Sequence, residues 1–262
     1  MKTDLLLVLI VGALGLIAVA SAADTPMVIF PEPQPAGFAG SDIAIPVRIE
    51  NPGQAAIDGK LFTRLWQLSS ATLVPLGEAM PWWDGRIEAG KSVDATARIA
   101  LPAFRTATRL RLQLLAADGA PAGKLDVTAI PRDWLRGEIA ALPAPPALYD
   151  PQGRLAPAFA KLGIEATILN ETAEFARITS SLVILVFQSE TEVLSAASQR
   201  LIARGVGVVW IQESQTPGES AMVRGIIPLG TDLATSAPAQ FRLVQWMREA
   251  LRRKQSHRTT NQ

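Results

Sequence analysis

The sequence predicts two domains, an antiparallel β-sandwich followed by a parallel α/β domain. From residue 27 to residue 131, apolar residues recur at every second position, which is the period of strands with one wet face. From residue 148 onward, short strand patterns alternate with helical patterns, an order typical of a parallel sheet. The chain has 262 residues, of which 48% are hydrophobic, so it is long enough to bury a sizeable core.

The chain begins with the pattern of a secretory signal peptide, which we assign to residues 1–22. Lys2 gives a positive start, Leu5 to Ala20 is an uncharged apolar run, and Ala20-Ser21-Ala22 is a small-x-small cleavage signal. We therefore expect export to the periplasm or the cell exterior. The alternative is an uncleaved anchor in the inner membrane, although the run is a little shorter than the about 20 residues of a full span.

The segment 23–131 predicts about seven short strands with turn signals between them. Strand patterns fall at residues 27–30, 42–50, 61–68, 73–80, 93–101, 109–114 and 125–129. Turn signals such as Asn51-Pro52-Gly53 and Asp118-Gly119 separate them. This is the pattern of a sandwich of immunoglobulin or fibronectin-III type. The chain has no cysteine, so only the architecture is implied and not the disulfide of antibody domains.

Two adjacent tryptophans, Trp82 and Trp83, stand beside Asp84 in the stretch PWWDG. Neighbouring residues on a strand point to opposite faces, so one ring should fill the core and the other should be exposed or covered by the second domain. An exposed ring beside a carboxylate is able to stack on a sugar while the carboxylate accepts a hydroxyl. Packing alone is the alternative explanation, because burying one indole removes 150 Å² or more from water, as is typical of large aromatic side chains.

Residues 132–147 are expected to form an extended linker, because three prolines fall within four positions after Leu142. The second domain then spans 148–256, and residues 257–262 form a polar tail. Two continuous apolar runs, Ser181 to Phe187 and Val206 to Ile211, predict strands that are covered on both faces. Helices are predicted around Leu155 to Leu162, over 191–203 and over 241–253.

The order of these pieces resembles the class I glutamine amidotransferase-like α/β fold, a flavodoxin-like parallel sheet. The resemblance rests on YDPQGRLAPAFAKLGIEATIL, then SLVILVF, then ARGVGVVWIQES. Catalytic members use a cysteine after the strand that corresponds to 206–212, together with a histidine. This chain has no cysteine, and its only histidine is His257 in the tail, so the nucleophile-base pair of acyl transfer cannot be built. The resemblance therefore implies a noncatalytic member, as in the assembly domains of β-galactosidases.

The first domain is similar to the β-sandwich accessory domains of large glycoside hydrolases. The similarity rests on IEAGKSVDATARIALP followed by TRLRLQLLAADGAPAGK. It implies an association with carbohydrate.

A second set of candidate ligand-binding residues follows the strands of the α/β domain. Ligands of open α/β sheets bind beyond the carboxyl ends of the strands. The candidates at these ends are Asp150, Gln188, Glu190 and Glu213. The alternative for Asp150 is a purely structural one, in which Asp150-Pro151-Gln152-Gly153 is a turn that caps the next helix.

These observations predict an exported, noncatalytic binding or assembly protein that is associated with carbohydrate or cell-envelope systems. Two alternatives remain, a glycoside hydrolase-like enzyme with a carboxylate pair and a membrane-tethered scaffold that retains its N-terminal helix. No zinc, phosphate or dinucleotide motif is present, so we expect no metal and no cofactor. A net charge of +1 argues against a nucleic-acid partner. We expect a glycan or protein partner or a homo-oligomer, and membrane contact only if the signal is uncleaved.

Overall fold

The computed structural model describes residues 26–30, 35–187, 191–212, 223–225 and 232–260. The predicted signal peptide, residues 1–22, lies outside this range. Within it, the chain forms two facing sheets of mainly antiparallel strands and a separate parallel sheet. The expected combination of antiparallel β and α/β content is therefore confirmed.

Nine described strands build the first part of the chain. They are β1 (Met27–Ile29), β2 (Ala36–Phe38), β3 (Asp42–Glu50), β4 (Ile57–Leu68), β5 (Leu73–Pro75), β6 (Met80–Ile87), β7 (Ser92–Ala100), β8 (Thr108–Ala116) and β9 (Pro121–Ile130). A three-stranded sheet has the order β1-β3-β7, and a second sheet has the order β2-β9-β8-β4-β5. Strand β6 pairs with β4 on the same edge as β5. Strand β2 pairs with β9 in parallel, whereas the other strand pairs of this sheet are antiparallel.

The two sheets enclose one apolar core, which the period-two pattern explains. Alternate residues of β3 (Ile45, Val47 and Ile49) meet alternate residues of β8 (Leu110, Leu112 and Leu114), and all of them are buried. The residues between them point to water, because successive side chains of a strand lie on opposite faces. Strands β2 and β6 are additional to the predicted set, since neither shows a clean alternation.

The second part contains five described parallel strands and four helical segments. The strands are β10 (Ala147–Tyr149), β11 (Thr167–Leu169), β12 (Leu182–Phe187), β13 (Gly207–Gln212) and β14 (Val223–Gly225). Helix α2 (Ala156–Lys161), a 3₁₀ helix (Thr172–Arg177), α3 (Glu192–Ala203) and α4 (Ala237–Thr260) surround them. The sheet order is β11-β10-β12-β13-β14. Counted from β10, this is the 2-1-3-4-5 order of flavodoxin-like doubly wound sheets.

The apolar run of β12 is buried on both faces of the parallel sheet. Leu182, Ile184 and Val186 pack into a cluster with α2 and α4, whereas their neighbours Val183, Leu185 and Phe187 pack into a cluster with α3. All six residues are buried, which is why the strand shows no polar alternation.

The stretch 132–147 is not an extended chain throughout, as its prolines had led us to expect. Residues Trp134–Ala140 form helix α1, and Trp134, Leu135 and Ile139 are buried. Leu135 and Ile139 are four residues apart and therefore lie on one helix face. The prolines fall after this helix, at 143, 145 and 146, so they end it without preventing it.

Helix α1 links the two parts through a shared core. Phe38 of β2 and Ile130 of β9 belong to the same buried cluster as Trp134 and much of α4. The ring of Trp134 stacks on that of Phe241 with centroids 5.9 Å apart. In the described part of the chain, none of the helices has the length and apolar character needed to cross a membrane.

Candidate functional site

The PWWDG stretch lies on the edge strand β6 and contains a β-bulge. Leu61 of β4 pairs with Trp83 and the next residue, Phe62, pairs with Pro81, so Trp82 has no partner in the register. The extra residue interrupts the expected alternation, because a bulge re-aims the side chains around it. Trp82 and Trp83 are consequently both half-buried, and both pack against the core between the two sheets.

Each of these tryptophans has a structural contact that fixes its ring. Trp82 Nε1 donates a hydrogen bond of 3.3 Å to the carbonyl oxygen of Thr96 on β7, and so ties the two sheets together. The ring of Trp83 lies against the backbone of Gly85. Asp84 forms an exposed ion pair of 3.2 Å with Lys60. The structure thus gives the residues of PWWDG packing contacts.

Asp150, at the end of β10, caps the following helix. Its Oδ2 accepts hydrogen bonds from the backbone N–H groups of Leu155 (2.7 Å) and Ala156 (2.9 Å). Gly153 closes the intervening turn with a hydrogen bond to the Asp150 carbonyl and a φ of 65°. The carboxylate is buried, and its Oδ1 has no hydrogen-bond partner among the described residues. This geometry agrees with the capping turn that the sequence offered as the alternative reading.

The remaining sequence-predicted candidates, Gln188, Glu190 and Glu213, lie outside the described residues. Asp150 does occupy the position at which the strand order reverses, between β10 and β12. Ligands of this class of sheet bind at that position.

The structure reveals a different candidate, which the sequence reasoning missed, on the outward face of the larger sheet. A trough of about 460 Å³ crosses the four adjacent strands β5, β4, β8 and β9. We call it the Trp66 trough. Its lining residues are Trp66, Leu73, Arg111, Gln113, Pro121, Ala122, Gly123 and Lys124.

Strand register arranges the outward side chains in and beside the Trp66 trough in two rows. Arg64 stands opposite Gln113, which stands opposite Lys124. One step along the strands, Trp66 stands opposite Arg111, which stands opposite Asp126. The intervening residues, such as Leu65 and Leu112, point inward and are buried. The pleat therefore presents one indole and several hydrogen-bonding groups to water on the same face.

The indole of Trp66 is held in place by two neighbours. Its Nε1 donates a hydrogen bond of 3.0 Å to Gln113 Oε1, and the guanidinium of Arg64 lies 5.0 Å from the ring centre. The second contact is a cation–π interaction, which is favourable for arginine over an indole. Trp66 is half-buried, so part of the ring remains available to a ligand.

Asp126 is the acid of these two rows, and it is already engaged by arginines. Arg111 binds it in a two-pronged contact, with Nε–Oδ1 at 2.8 Å and Nη2–Oδ2 at 3.3 Å, and Arg109 Nη2 lies 3.3 Å from Oδ2. The hydrogen bond from Arg111 lowers the pKa of Asp126 and the same bond raises the pKa of Arg111. Both groups therefore stay charged across the ordinary pH range.

The sequence held a partial signal for this face. The alternation in RLRLQL already assigns Arg109, Arg111 and Gln113 to the outer side of one strand. Placing Trp66 and Lys124 beside them requires the pairing register of three strands, which alternation alone does not provide. Within the described residues, no group of acidic or histidine side chains is arranged to hold a metal ion.

No protein-family model and no curated protein matches the chain. Among solved structures, the chain is similar to the Pseudomonas fluorescens alkylpurine DNA glycosylase AlkC bound to DNA with an abasic site analog. The identity is 12%, the match covers 42% of this chain and 32% of that chain, and the TM-score is 0.33.

Two β-glucosidases show a comparable similarity. For the enzyme from Listeria innocua in complex with laminaribiose, the identity is 12%, the coverage is 40% of this chain and 16% of that chain, and the TM-score is 0.31. For the GH3 enzyme from Bifidobacterium adolescentis, the values are 14%, 40%, 17% and 0.32. The chain thus spans a third or less of the length of these proteins, and TM-scores this low do not establish a shared fold.

Proposed function

We propose that this chain is an exported, noncatalytic binding protein that holds a carbohydrate in the Trp66 trough. The observation that carries the proposal is the indole of Trp66, which is framed on an open sheet face by the side chains of Arg111, Gln113 and Lys124. A sugar ring has an apolar face, which stacks on an aromatic side chain, and a rim of hydroxyls, which needs donors and acceptors. Ligand sites combine apolar surface with a few placed polar groups in this way.

The dimensions of the trough favour a chain molecule over a compact ligand. It runs from Leu73 on β5 to Lys124 on β9, across three inter-strand spacings. At about 4.8 Å per spacing, this is about 14 Å, a length suited to a short oligosaccharide. The trough is open to solvent, so a longer polymer is able to continue beyond both ends.

The side chains that are present support a binding role without catalysis. The residues for acyl transfer are missing from the Trp66 trough, because the chain has no cysteine and its one histidine, His257, is not among the lining residues. The structure places His257 near the end of α4, which continues to Thr260 through most of the stretch that the sequence predicted as a polar tail. Among the described residues that line the Trp66 trough, none carries a carboxylate. A glycosidase at this place would need two.

The proposal includes the fold assignments made from the sequence. We assign the first part to an immunoglobulin-like sandwich and the second to a noncatalytic glutamine amidotransferase-like domain. The 2-1-3-4-5 strand order supports the flavodoxin-like character of the second part. A binding sandwich joined to an assembly domain would deliver a glycan to a larger envelope complex.

The test is a fluorescence and calorimetric titration of the protein against a panel of soluble oligosaccharides. We expect a saturable shift in the wild type that Trp66→Ala abolishes and Trp66→Phe weakens. Trp82→Phe is the matched control, because it also removes an indole hydrogen bond but lies outside the trough. Thermal unfolding of each variant checks that the fold is kept. Binding that survives Trp66→Ala, or no binding across the panel, would refute the proposal.

Export has a separate test. Mass spectrometry of the protein recovered from its producing cells should give a mass that starts at Ala23. A mass that includes the first 22 residues, with recovery in the membrane fraction, would favour the tethered scaffold.

A further inference from the structure

We infer that the carbohydrate taken by the Trp66 trough is anionic, carrying carboxylate or sulfate groups along its chain. The inference rests on the proposed function and specifies the chemical class of the ligand. It is carried by the balance and the placement of charge around Trp66.

The outward sheet face around Trp66 holds more positive than negative charge. The cationic side chains are Arg64, Arg109, Arg111 and Lys124, and the acid among them is Asp126. Asp118, in the adjoining turn, directs its Oδ1 to the backbone N–H of Ala120. A surface with such an excess attracts anions, and the attraction falls as salt increases.

The cations are not equally engaged. Arg109 and Arg111 share Asp126, whereas Arg64 and Lys124 have no carboxylate partner among the described residues. Arg64 is instead stacked on Trp66, and its Nε is buried there without a hydrogen-bond acceptor among the described residues. Lys124 is exposed and lines the trough, so it is available to an incoming anion without the loss of an existing ion pair, and the stacked Arg64 adds to the positive charge beside it.

Their positions match a ligand that stacks on Trp66. Arg64 precedes Trp66 by two residues on β4, and its guanidinium reaches to 5.0 Å from the centre of the indole ring. Arg64 and Lys124 stand in one register row with Gln113 between them, about 10 Å apart across the sheet. A sugar ring on the indole therefore places its substituents next to the cationic row. A neutral glycan would leave these charges without a partner.

The experiment compares two ligands that differ only in charge. Oligogalacturonate and its methyl ester share one backbone, and calorimetry at low and high salt measures both. We expect the acid to bind at least about tenfold more tightly than the ester at low salt, which corresponds to about 1.4 kcal/mol. The difference should shrink as salt screens the charges.

Lys124→Gln tests the assignment of the charge. It should weaken binding of the acid by about three- to tenfold, the range of one charge-assisted hydrogen bond at a partly exposed site, and weaken binding of the ester by a smaller factor, because glutamine keeps a hydrogen-bond donor but not the charge. Lys91→Gln is the matched control, since Lys91 is also exposed but lies beside a turn outside the trough. Trp66→Ala should abolish binding of both ligands.

Each outcome decides the inference. Equal binding of acid and ester would overturn the anionic specificity and leave the carbohydrate proposal intact, whereas failure of both ligands and of the whole neutral panel would overturn both. A sulfated oligosaccharide that binds in place of the carboxylated one would support the inference and identify the anion as sulfate. Inorganic sulfate that displaces the acid at equal concentration would overturn it, because the face would then hold an ion without a sugar.

Discussion

The ring of Trp83 lies directly against the backbone of Gly85, two residues further along the same strand. A Cβ at position 85 would stand 2.7 Å from Trp83 Cζ2, closer than any ordinary contact. The absence of a side chain at 85 is therefore what lets the indole lie flat on β6. The glycine of PWWDG is a packing partner of its tryptophan.

Gly85→Ala should consequently destabilise the protein by about 1–3 kcal/mol, the typical cost of forcing an extra carbon into a packed site. Gly59→Ala is a matched control, because Gly59 pairs with Gly85 across β4 and β6 and its new Cβ would meet only Ile57 Cγ2 at 3.5 Å. Urea denaturation measures both. Equal effects of the two substitutions would show that the Trp83 contact is unimportant.

Asp150→Ala should lower the free energy of unfolding by about 1–3 kcal/mol, since it leaves two backbone N–H groups at the start of α2 without their acceptor. Asp118→Ala removes a similar hydrogen bond, to Ala120, from an exposed turn where water replaces it. We expect that control to cost less than about 1 kcal/mol. A ligand role for Asp150 without a structural one would predict unchanged stability.

Arg204→Lys tests a second local anchor. The guanidinium of Arg204 donates to the carbonyl oxygens of Phe175 (2.9 Å), Ala176 (3.2 Å) and Ile178 (2.8 Å), at the end of the 3₁₀ helix. A lysine cannot reproduce this fork, so we expect a loss of about 1–2 kcal/mol in thermal or chemical unfolding. Arg200→Lys, one helical turn earlier, should be nearly neutral. Equal midpoints for the two variants would contradict the anchoring role.

Asp126→Asn should make the free energy of unfolding less dependent on pH in the acidic range. Arg111 lowers the pKa of Asp126 in the folded state below its usual value of 3.8. Between the two pKa values the unfolded chain binds more protons, so this carboxylate stabilises the fold above about pH 4 and loses that effect as the pH falls through the folded-state pKa. The wild type should exceed the variant in stability at neutral pH, and the gap should shrink as the pH falls below 3.8 and through the lowered folded-state pKa. A gap that is constant with pH would exclude the ion pair as its cause.

The same substitution should tighten the binding of an anionic glycan. Without Asp126 as an acidic partner, Arg109 and Arg111 both face the ligand, and we expect a several-fold gain in affinity for oligogalacturonate at low salt. The methyl ester serves as the control and should bind unchanged. A gain for the ester as well would point to a change in shape and not in charge.

The sequence predicted those elements whose pattern is local. The alternation of Leu110, Leu112 and Leu114 located β8, and the unbroken apolar run of β12 correctly indicated a strand covered on both faces. The prolines that follow Leu142 suggested extended chain and hid α1, because the apolar residues Leu135 and Ile139 that bury this short helix do so against distant segments.

The candidate site could not be predicted in the same way, because its residues are brought together by the pairing of strands that are distant in sequence. The bulge that changes the direction of Trp82 is a register shift between β4 and β6, and no residue type in the sequence predicts its position. The neighbours of Trp66 on the sheet face are likewise determined by strand pairing. Lys124 is 58 positions away in the printed sequence but only two strands away in the sheet. The sequence alone therefore favoured Trp82 and Trp83 over Trp66 as the candidate binding residues.

The cluster that contains Phe38, Ile130 and Trp134 couples the unfolding of the two parts of the chain. Phe38 and Ile130 belong to the sheets of the first part, yet they are buried with Leu243 and Met247 of the last helix. Neither part can unfold without exposing apolar surface of the other, which couples their melting. Heating should give one calorimetric transition, and a protease should find no intact half to release. The carboxyl-terminal helix thereby contributes to the persistence of a strand that was synthesised some 200 residues before it.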